Sequence, residues 1–215
     1  AARPEGDFDA VRPLLETTLR LSREYAGFFP EHDHPADALI DGADPGMTVA
    51  TVRPLFEQLR AKLVPLVEAI RAKPAPDASC LQGDFPVAAQ RAFGRTVIEA
   101  FGYDCKRGRL DLTAHPFMTK FSLDDVRITA RFRDDDLSEG IFSMFHEAGH
   151  ALYELNIDPA FEGTPLARGT SSGVHESQSR LWENLVGRSR GFWSHFYPML
   201  QTAFPALGGV PLETF

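Results

Sequence analysis

The sequence predicts a mainly α fold with one short β segment set beside a helix that carries ionisable residues. Three observations lead there. Apolar residues recur at three- and four-residue spacing in runs from Phe8 to Phe204. One stretch, Asp125-Val126-Arg127-Ile128-Thr129-Ala130-Arg131-Phe132, alternates polar and apolar residues instead. Just after it, His146-Glu147-Ala148-Gly149-His150 lies inside an apolar helical run.

In chain order, Phe8 to Phe29 has helical spacing. Pro13 is tolerated only in a first turn, so this helix starts at about Asp9 to Arg12. Pro30 and Pro35 flank His32-Asp33-His34, which reads as a solvated turn rather than a metal set. Asp37 to Asp41 forms a short helical turn, and Gly42 to Gly46 a loop. Thr48 caps a long helix from Val49 to Lys73, whose stripe of Val52, Leu55, Phe56, Leu59, Leu63, Leu66, Val67 and Ile70 is expected in the core. Pro65 should kink it or divide it into two helices end to end. Pro74-Ala75-Pro76 is a linker. Pro86 opens a helix that ends near Phe101, with Gly102 as its stop.

Cys105 to Arg109 reads as a turn, and Asp125 to Phe132 as a strand with one buried face. Asp134-Asp135-Asp136 lacks the spaced acidic pattern of a calcium loop and reads as a solvated turn. Ser138 is the expected N-cap of the next helix, with Ile141, Phe142, Met144, Phe145, Ala148, Ala151, Leu152 and Leu155 on a broad apolar face. Ile157 to Gly173 is a loop. Helices follow over Val174 to Gly187 and Phe192 to about Phe204. No internal repeat or low-complexity tract occurs.

A chain of 215 residues, 43% hydrophobic and 24% charged, has an ordinary globular composition. Its formal net charge of -8 argues against a nucleic-acid partner. No apolar run approaches the ~20 residues of a membrane span, and the opening Ala1 to Asp7 does not read as a signal peptide. Cys80 and Cys105 form neither a metal spacing nor a disulfide framework. A cytoplasmic protein is the expectation, with no membrane partner.

Residues four apart share a helix face, so His146 and His150 can converge on one cation while Glu147 stands beside a water. Chance also places such residues on a helix. However, ionisable groups on a buried helix are costly unless paired or metal-bound, so this cluster needs a reason. A catalytic zinc site takes three protein ligands and leaves one position open. A third His six residues on would fall at Asn156, which is no ligand type. The best remaining source is Gly173-Val174-His175-Glu176, where Glu176 would complete a His2Glu set. The competing reading of Glu176 is a first-turn acid favoured by the helix dipole.

His-Glu-Ala-Gly-His-Ala-Leu-Tyr-Glu at 146–154, followed by Gly-Val-His-Glu-Ser-Gln-Ser-Arg-Leu-Trp-Glu-Asn at 173–184, resembles the M32 metallocarboxypeptidases of the thermostable carboxypeptidase 1 type. His115-Pro116-Phe117 and Asp125-Val126-Arg127-Ile128-Thr129 match that family's H-P-F and D-x-R-x-T, and weaker similarity runs through 41–48 and 192–198. The resemblance implies a helical metallopeptidase fold like that of neurolysin and angiotensin-converting enzyme, with a short sheet beside the active-site helix. It implies one Zn2+ per chain, with Co2+ as a substitute, held by His146, His150 and Glu176. Glu147 would be the catalytic carboxylate. Arg127, Asp125 and Thr129 would belong to the substrate cleft near the peptide's C-terminal carboxylate, with His115 and His175 close by. The substrates implied are peptides with a free C-terminal carboxylate, trimmed with broad specificity. Family members are commonly homodimers.

Two departures stand out. The family's later motifs, G-x-x-Q and I/Y-R-x-x-A, are absent, so residues 1–215 read as a single, mostly helical catalytic region from the central part of a longer chain. A zinc-binding but inactive fragment is the alternative to an active enzyme, and an open-ended cleft that cuts internally is a third reading. In addition, thermolysin-like sites carry an Asp four residues after the ligand Glu. Here Arg180 stands there, so another group must orient the histidines.

Overall fold

A computed structural model of the protein describes residues 5–215; residues 1–4, part of the opening read as no signal peptide, lie outside it. The chain divides into two compact units, Ala1–Ala75 and Pro76–Phe215, and the expected Pro-Ala-Pro linker falls on the division. No helix among the described residues is long and apolar enough to cross a membrane.

The first unit holds α1 (Arg12–Ala26), α2 (Asp37–Ala43) and α3 (Val49–Arg71). Asp37 organises the turns between them. Its buried carboxylate accepts from the N–H of Val49 at 2.7 Å and from that of His34 at 3.1 Å. His34 in turn accepts from the N–H of Ala36 at 3.0 Å and so serves the turn. Thr48 caps α3 by accepting from the N–H of Thr51.

Pro54 and Pro65 lie inside one continuous helix, so Pro65 does not divide it into two. One expectation for α3 fails: its apolar stripe is not a core. No residue of α3 is buried, and Leu55, Leu59, Leu66 and Ile70 are each more than half exposed. The periodicity is real, but helical spacing specifies only a face in need of a partner. Neither α1 nor α2 covers this one.

The second unit is built on α5 (Ser138–Leu155), which packs against a sheet, against α4 (Val87–Phe101) and against α6 (Ser172–Arg180). The sheet has three strands in the order β1-β3-β2, formed by β1 (Leu110–Leu112), β2 (Met118–Ser122) and β3 (Asp125–Ala130). β3 is the strand read from the alternation. It lies in the centre, parallel to β1 (Leu110 opposite Ile128) and antiparallel to β2 (Thr119 opposite Arg127). Its Val126, Ile128 and Ala130 are fully buried and face the same core as Ile141, Met144, Phe145 and Ala148 of α5. The outer strands are short and poorly alternating, which is why only the central one is legible in the sequence.

α4 ends at Gly102 in the left-handed region (φ 107°), as expected of a C-terminal glycine. α6 continues into a single wider-wound π segment, Leu181–Val186, and α7 (Arg190–Ala203) follows, capped by Ser189. Phe101, Phe145 and Phe192 meet at centroid distances of 5.3 to 6.0 Å, tying α4, α5 and α7 together.

The start of α5 corrects one expectation. Ser138 is the first helical residue, Leu137 stands at the N-cap position without a side-chain bond, and Asp136 just before it supplies the capping carboxylate. Its Oδ1 accepts from the N–H groups of Ser138 (2.8 Å) and Glu139 (3.0 Å), while Asp134 accepts from the N–H of Val87 at the start of α4 (3.0 Å). The acidic run is a largely exposed turn, as expected, whose first and last aspartates also cap two helices.

α5 and α6 approach closely at Gly149. A Cβ added there would lie 2.7 Å from the Cα of Ser179 and 2.8 Å from the carbonyl oxygen of Gln178. Both obstacles are backbone, so no side-chain rotation relieves them. Gly149→Ala is expected to destabilise the protein by about 1–3 kcal/mol in urea unfolding, although Ala is the better helix former. Gly191→Ala, on a helix with open space around it, is the control and should be neutral or stabilising by up to about 1 kcal/mol.

Candidate metal centre

α5 carries His146 and His150 one turn apart, with ring centroids 4.9 Å from each other. The close contact at Gly149 brings the C-terminal half of α6 alongside, and with it Glu176. The Oε2 of Glu176 lies 3.5 Å from the Nε2 of His146 and 3.4 Å from the Nε2 of His150. One donor atom from each residue falls within 4.8 Å of the others, the only such cluster of three or more among the described residues. A tetrahedral ion with ligand bonds near 2.0–2.2 Å separates its donors by about 3.4 Å. The donor set and the spacing of Glu176 from the two histidines thus fit a zinc-type ion.

Each donor is held from behind. The other nitrogen of His146, Nδ1, meets the Oε2 of Glu183 at 2.9 Å. The Nδ1 of His150 meets the Nδ1 of His175 at 2.6 Å. Arg180 Nε donates to Glu176 Oε1 at 2.8 Å, and the buried Ser179 hydroxyl donates to Oε2 at 3.1 Å. Burial alone would raise the Glu176 carboxyl, but these two hydrogen bonds outweigh it and hold it below its ordinary range. With Oε1 held by a guanidinium, Oε2 is the oxygen left facing the histidines. Arg180 also donates to Glu183 at 3.2 Å. The position where thermolysin-like sites carry an Asp therefore bears a cation bridging two carboxylates, and the orienting acid comes from Glu183.

Burial, helped by His175 and His146, pushes the His150 imidazole down to about 4. It is neutral at neutral pH and offers a lone pair without first losing a proton. Burial pushes the Glu147 carboxyl the other way, up to about 7, against the opposing pull of His146. A carboxyl poised there can both take and give a proton near neutrality.

Glu147 and His146 open onto a cleft of about 470 Å³, shared with His115, Phe142, Arg180 and Arg188. His115 thus comes to the cleft. Arg127, Asp125 and Thr129 do not line it. Arg127 forks onto Asp125 with bonds of 2.7 and 2.6 Å and lies over the Phe121 ring. The hydroxyl of Thr129 accepts from the N–H of Phe117 at 2.8 Å and donates to its carbonyl at 3.0 Å, tying the His-Pro-Phe segment to β3. His175 stands behind His150 rather than on the cleft wall.

Sequence reasoning missed four residues of this arrangement: Glu183, Arg180 as a bridge, Glu154 and Lys120. Glu154 was within reach of the reasoning that found the histidines, since it lies four residues past His150 on the same face. Its buried carboxylate takes bonds from His175 Nε2 (3.0 Å), the N–H of Gly169 (3.0 Å) and Lys120 Nζ (2.8 Å). Glu183 lies seven past Glu176, again two turns along one face. Lys120 had no local signal, because β2 brings it in from elsewhere in the chain.

The sequence matches the Carboxypeptidase Taq (M32) metallopeptidase family over residues 1–215. It is 44% identical over 224 residues to thermostable carboxypeptidase 1 of Thermus thermophilus, covering 100% of this chain and 44% of that protein. It is 40% identical to carboxypeptidase 1 of Bacillus subtilis, covering 95% of this chain and 41% of the relative. The fold superposes on the crystal structure of an M32 carboxypeptidase from Deinococcus radiodurans with a TM-score of 0.90 and 51% identity, over 99% of this chain and 43% of that one. The chain spans less than half the length of these relatives. Matched by the family model along its whole length and sharing the fold of a solved member, this chain belongs to the M32 metallopeptidases.

Proposed function

We propose that the chain carries the zinc centre of a metallocarboxypeptidase that releases single residues from the C-terminus of peptides with broad specificity. The observation that carries this reading is the convergence of His146 Nε2, His150 Nε2 and Glu176 Oε2 beside a cleft that also holds Glu147. His146, His150 and Glu176 would hold the ion. Zinc supplies Lewis-acid polarisation of a carbonyl and lowers the pKa of water. Glu147 accepts the proton of the water that attacks the scissile carbonyl and delivers it to the amine nitrogen as the C–N bond breaks. Glu183 and Arg180 keep His146 and Glu176 in place. Arg127 would meet a terminal carboxylate only by exchanging Asp125 for it. The free Cys80 and Cys105 suit a reducing, cytoplasmic setting.

A second reading is favoured by one observation. Residues 1–215 by themselves match 44% of the length of the Thermus relative. In that reading it binds zinc without turnover.

Metal content measured alongside mass spectrometry of a blocked peptide separates the two. About one zinc per chain with residues lost singly from the C-terminus supports the carboxypeptidase; about one zinc with an intact peptide supports the second reading. Internal cleavage would instead identify an open-ended cleft. Glu147→Gln is expected to lower peptide hydrolysis by at least about 10²-fold while zinc content stays at the wild-type level. Full activity in the metal-loaded variant would remove Glu147 from its role as the base.

A further inference from the structure

His150 must present an unprotonated Nε2 toward Glu176 Oε2, 3.4 Å away, if it is to act as a ligand. Its proton then sits on Nδ1 and needs an acceptor. The atom facing it at 2.6 Å is the Nδ1 of His175. A nitrogen that accepts carries no proton, so the proton of His175 is on Nε2, which meets Glu154 Oε1 at 3.0 Å. The hydrogen bonds run in one direction: His150 donates to His175, and His175 donates to Glu154.

The far end of this chain is built to stay where it is. Glu154 is 5% exposed, and burial alone would raise its carboxyl. Donors on every side overcome that. Oε1 also accepts from the N–H of Gly169 (3.0 Å), and Oε2 accepts from Lys120 Nζ (2.8 Å). Lys120 is itself largely buried and donates to the Ala167 carbonyl as well. Gly169 has to lack a side chain, since a Cβ there would lie 2.8 Å from His175 Cδ2. A buried ion pair seldom stabilises a fold better than apolar residues of the same size. This one connects β2, α5, the 167–169 loop and α6, and it ends on an imidazole pressed against a metal-ligating histidine.

We infer that Glu154 and Lys120 are positioning residues for the metal centre, acting on His150 through His175. Where a ligand histidine usually donates directly to a carboxylate, here a second imidazole is inserted between them. The bridge fixes the His150 tautomer and ring angle, and the Lys120–Glu154 pair fixes the bridge. This inference rests on the proposed metal centre at His146, His150 and Glu176.

The test is the Zn2+ dissociation constant, measured by chelator competition, together with the visible absorption bands of the Co2+-loaded protein. The proteins compared are wild type, His175→Phe, His175→Asn and the double variant Lys120→Met with Glu154→Gln. His175→Phe removes both links, and the double variant neutralises the far end. Each is expected to raise the Zn2+ Kd about 10- to 100-fold and to alter the Co2+ bands. His175→Asn, whose amide oxygen replaces the accepting Nδ1, should recover part of the loss. The His175 side chain is 20% exposed and its replacement leaves the buried ion pair intact, so this variant decides the matter if the double variant does not fold. A Kd and Co2+ spectrum unchanged in His175→Phe overturn the relay while leaving the metal centre standing. A wild-type protein that binds neither metal overturns the centre and the relay together.

Discussion

The metal centre depends on a contact that contains no functional group. Gly149 sits between the two histidines of α5, and its bare Cα lets the backbone of α6 come against it at residues 178 and 179. Side chains reach only as far as their backbones allow. Glu176 has two methylene groups, and its Oε2 is already 3.4 to 3.5 Å from both imidazoles. A methyl group at 149 would push α6 away by a distance that Glu176 has no slack to recover. The glycine inside His-Glu-Ala-Gly-His is thus as much a part of the site as the ligands, although it touches nothing that reacts.

Around that contact, charges are arranged to solve a problem created by the ligands. Glu147, Glu176 and Glu183 lie close together around the histidines; burial raises the Glu147 carboxyl, and the neighbouring charges of Glu176 and Glu183 add to that rise. Two guanidiniums keep the others ionised. Arg180 bridges Glu176 and Glu183, and Arg188 donates to Glu183 while its own charge lies 3.8 Å over the Phe142 ring. Glu147 receives no such partner. In the proposed site, three carboxylates of one residue type are thereby given different neighbours, which suits them to serve as a ligand, an orienting acid and a proton carrier.

What the sequence disclosed follows the range of the forces involved. His146, Glu147 and His150 lie within one turn, so spacing alone placed them together, and the caps at Thr48 and Gly102 are equally local. Glu176 was legible as the best candidate for a third ligand and through the family resemblance, but spacing alone left it open to a helix-dipole reading, because the contact at Gly149 that delivers it is tertiary. β1 and β2 were illegible because their pairing partner, not their own pattern, makes them strands. The α3 stripe was legible as a face and misread as a core, since periodicity carries no information about what covers a face. Lys120, on β2, illustrates the limit: nothing near it in sequence announces Glu154.

The acidic run at 134–136 shows how a feature with no catalytic part still aims the centre. Three adjacent aspartates should repel one another, yet each has a separate cation or dipole to answer to. Asp135 pairs with Arg133, Asp134 caps α4, and Asp136 caps α5. A capping carboxylate at a helix N-terminus stabilises by about 1 kcal/mol, and here one short turn serves two helices. β3 ends at Ala130, so only seven residues separate the central strand from Ser138. Anchoring both helix starts in that turn sets the axial position of α5 against the sheet. It thereby sets where His146, about two turns further along, enters the cleft. The same strand, through Thr129, holds the His-Pro-Phe segment that brings His115 to the opposite side. β3 and its terminal turn thus hold both the segment that carries His115 and the helix that carries His146.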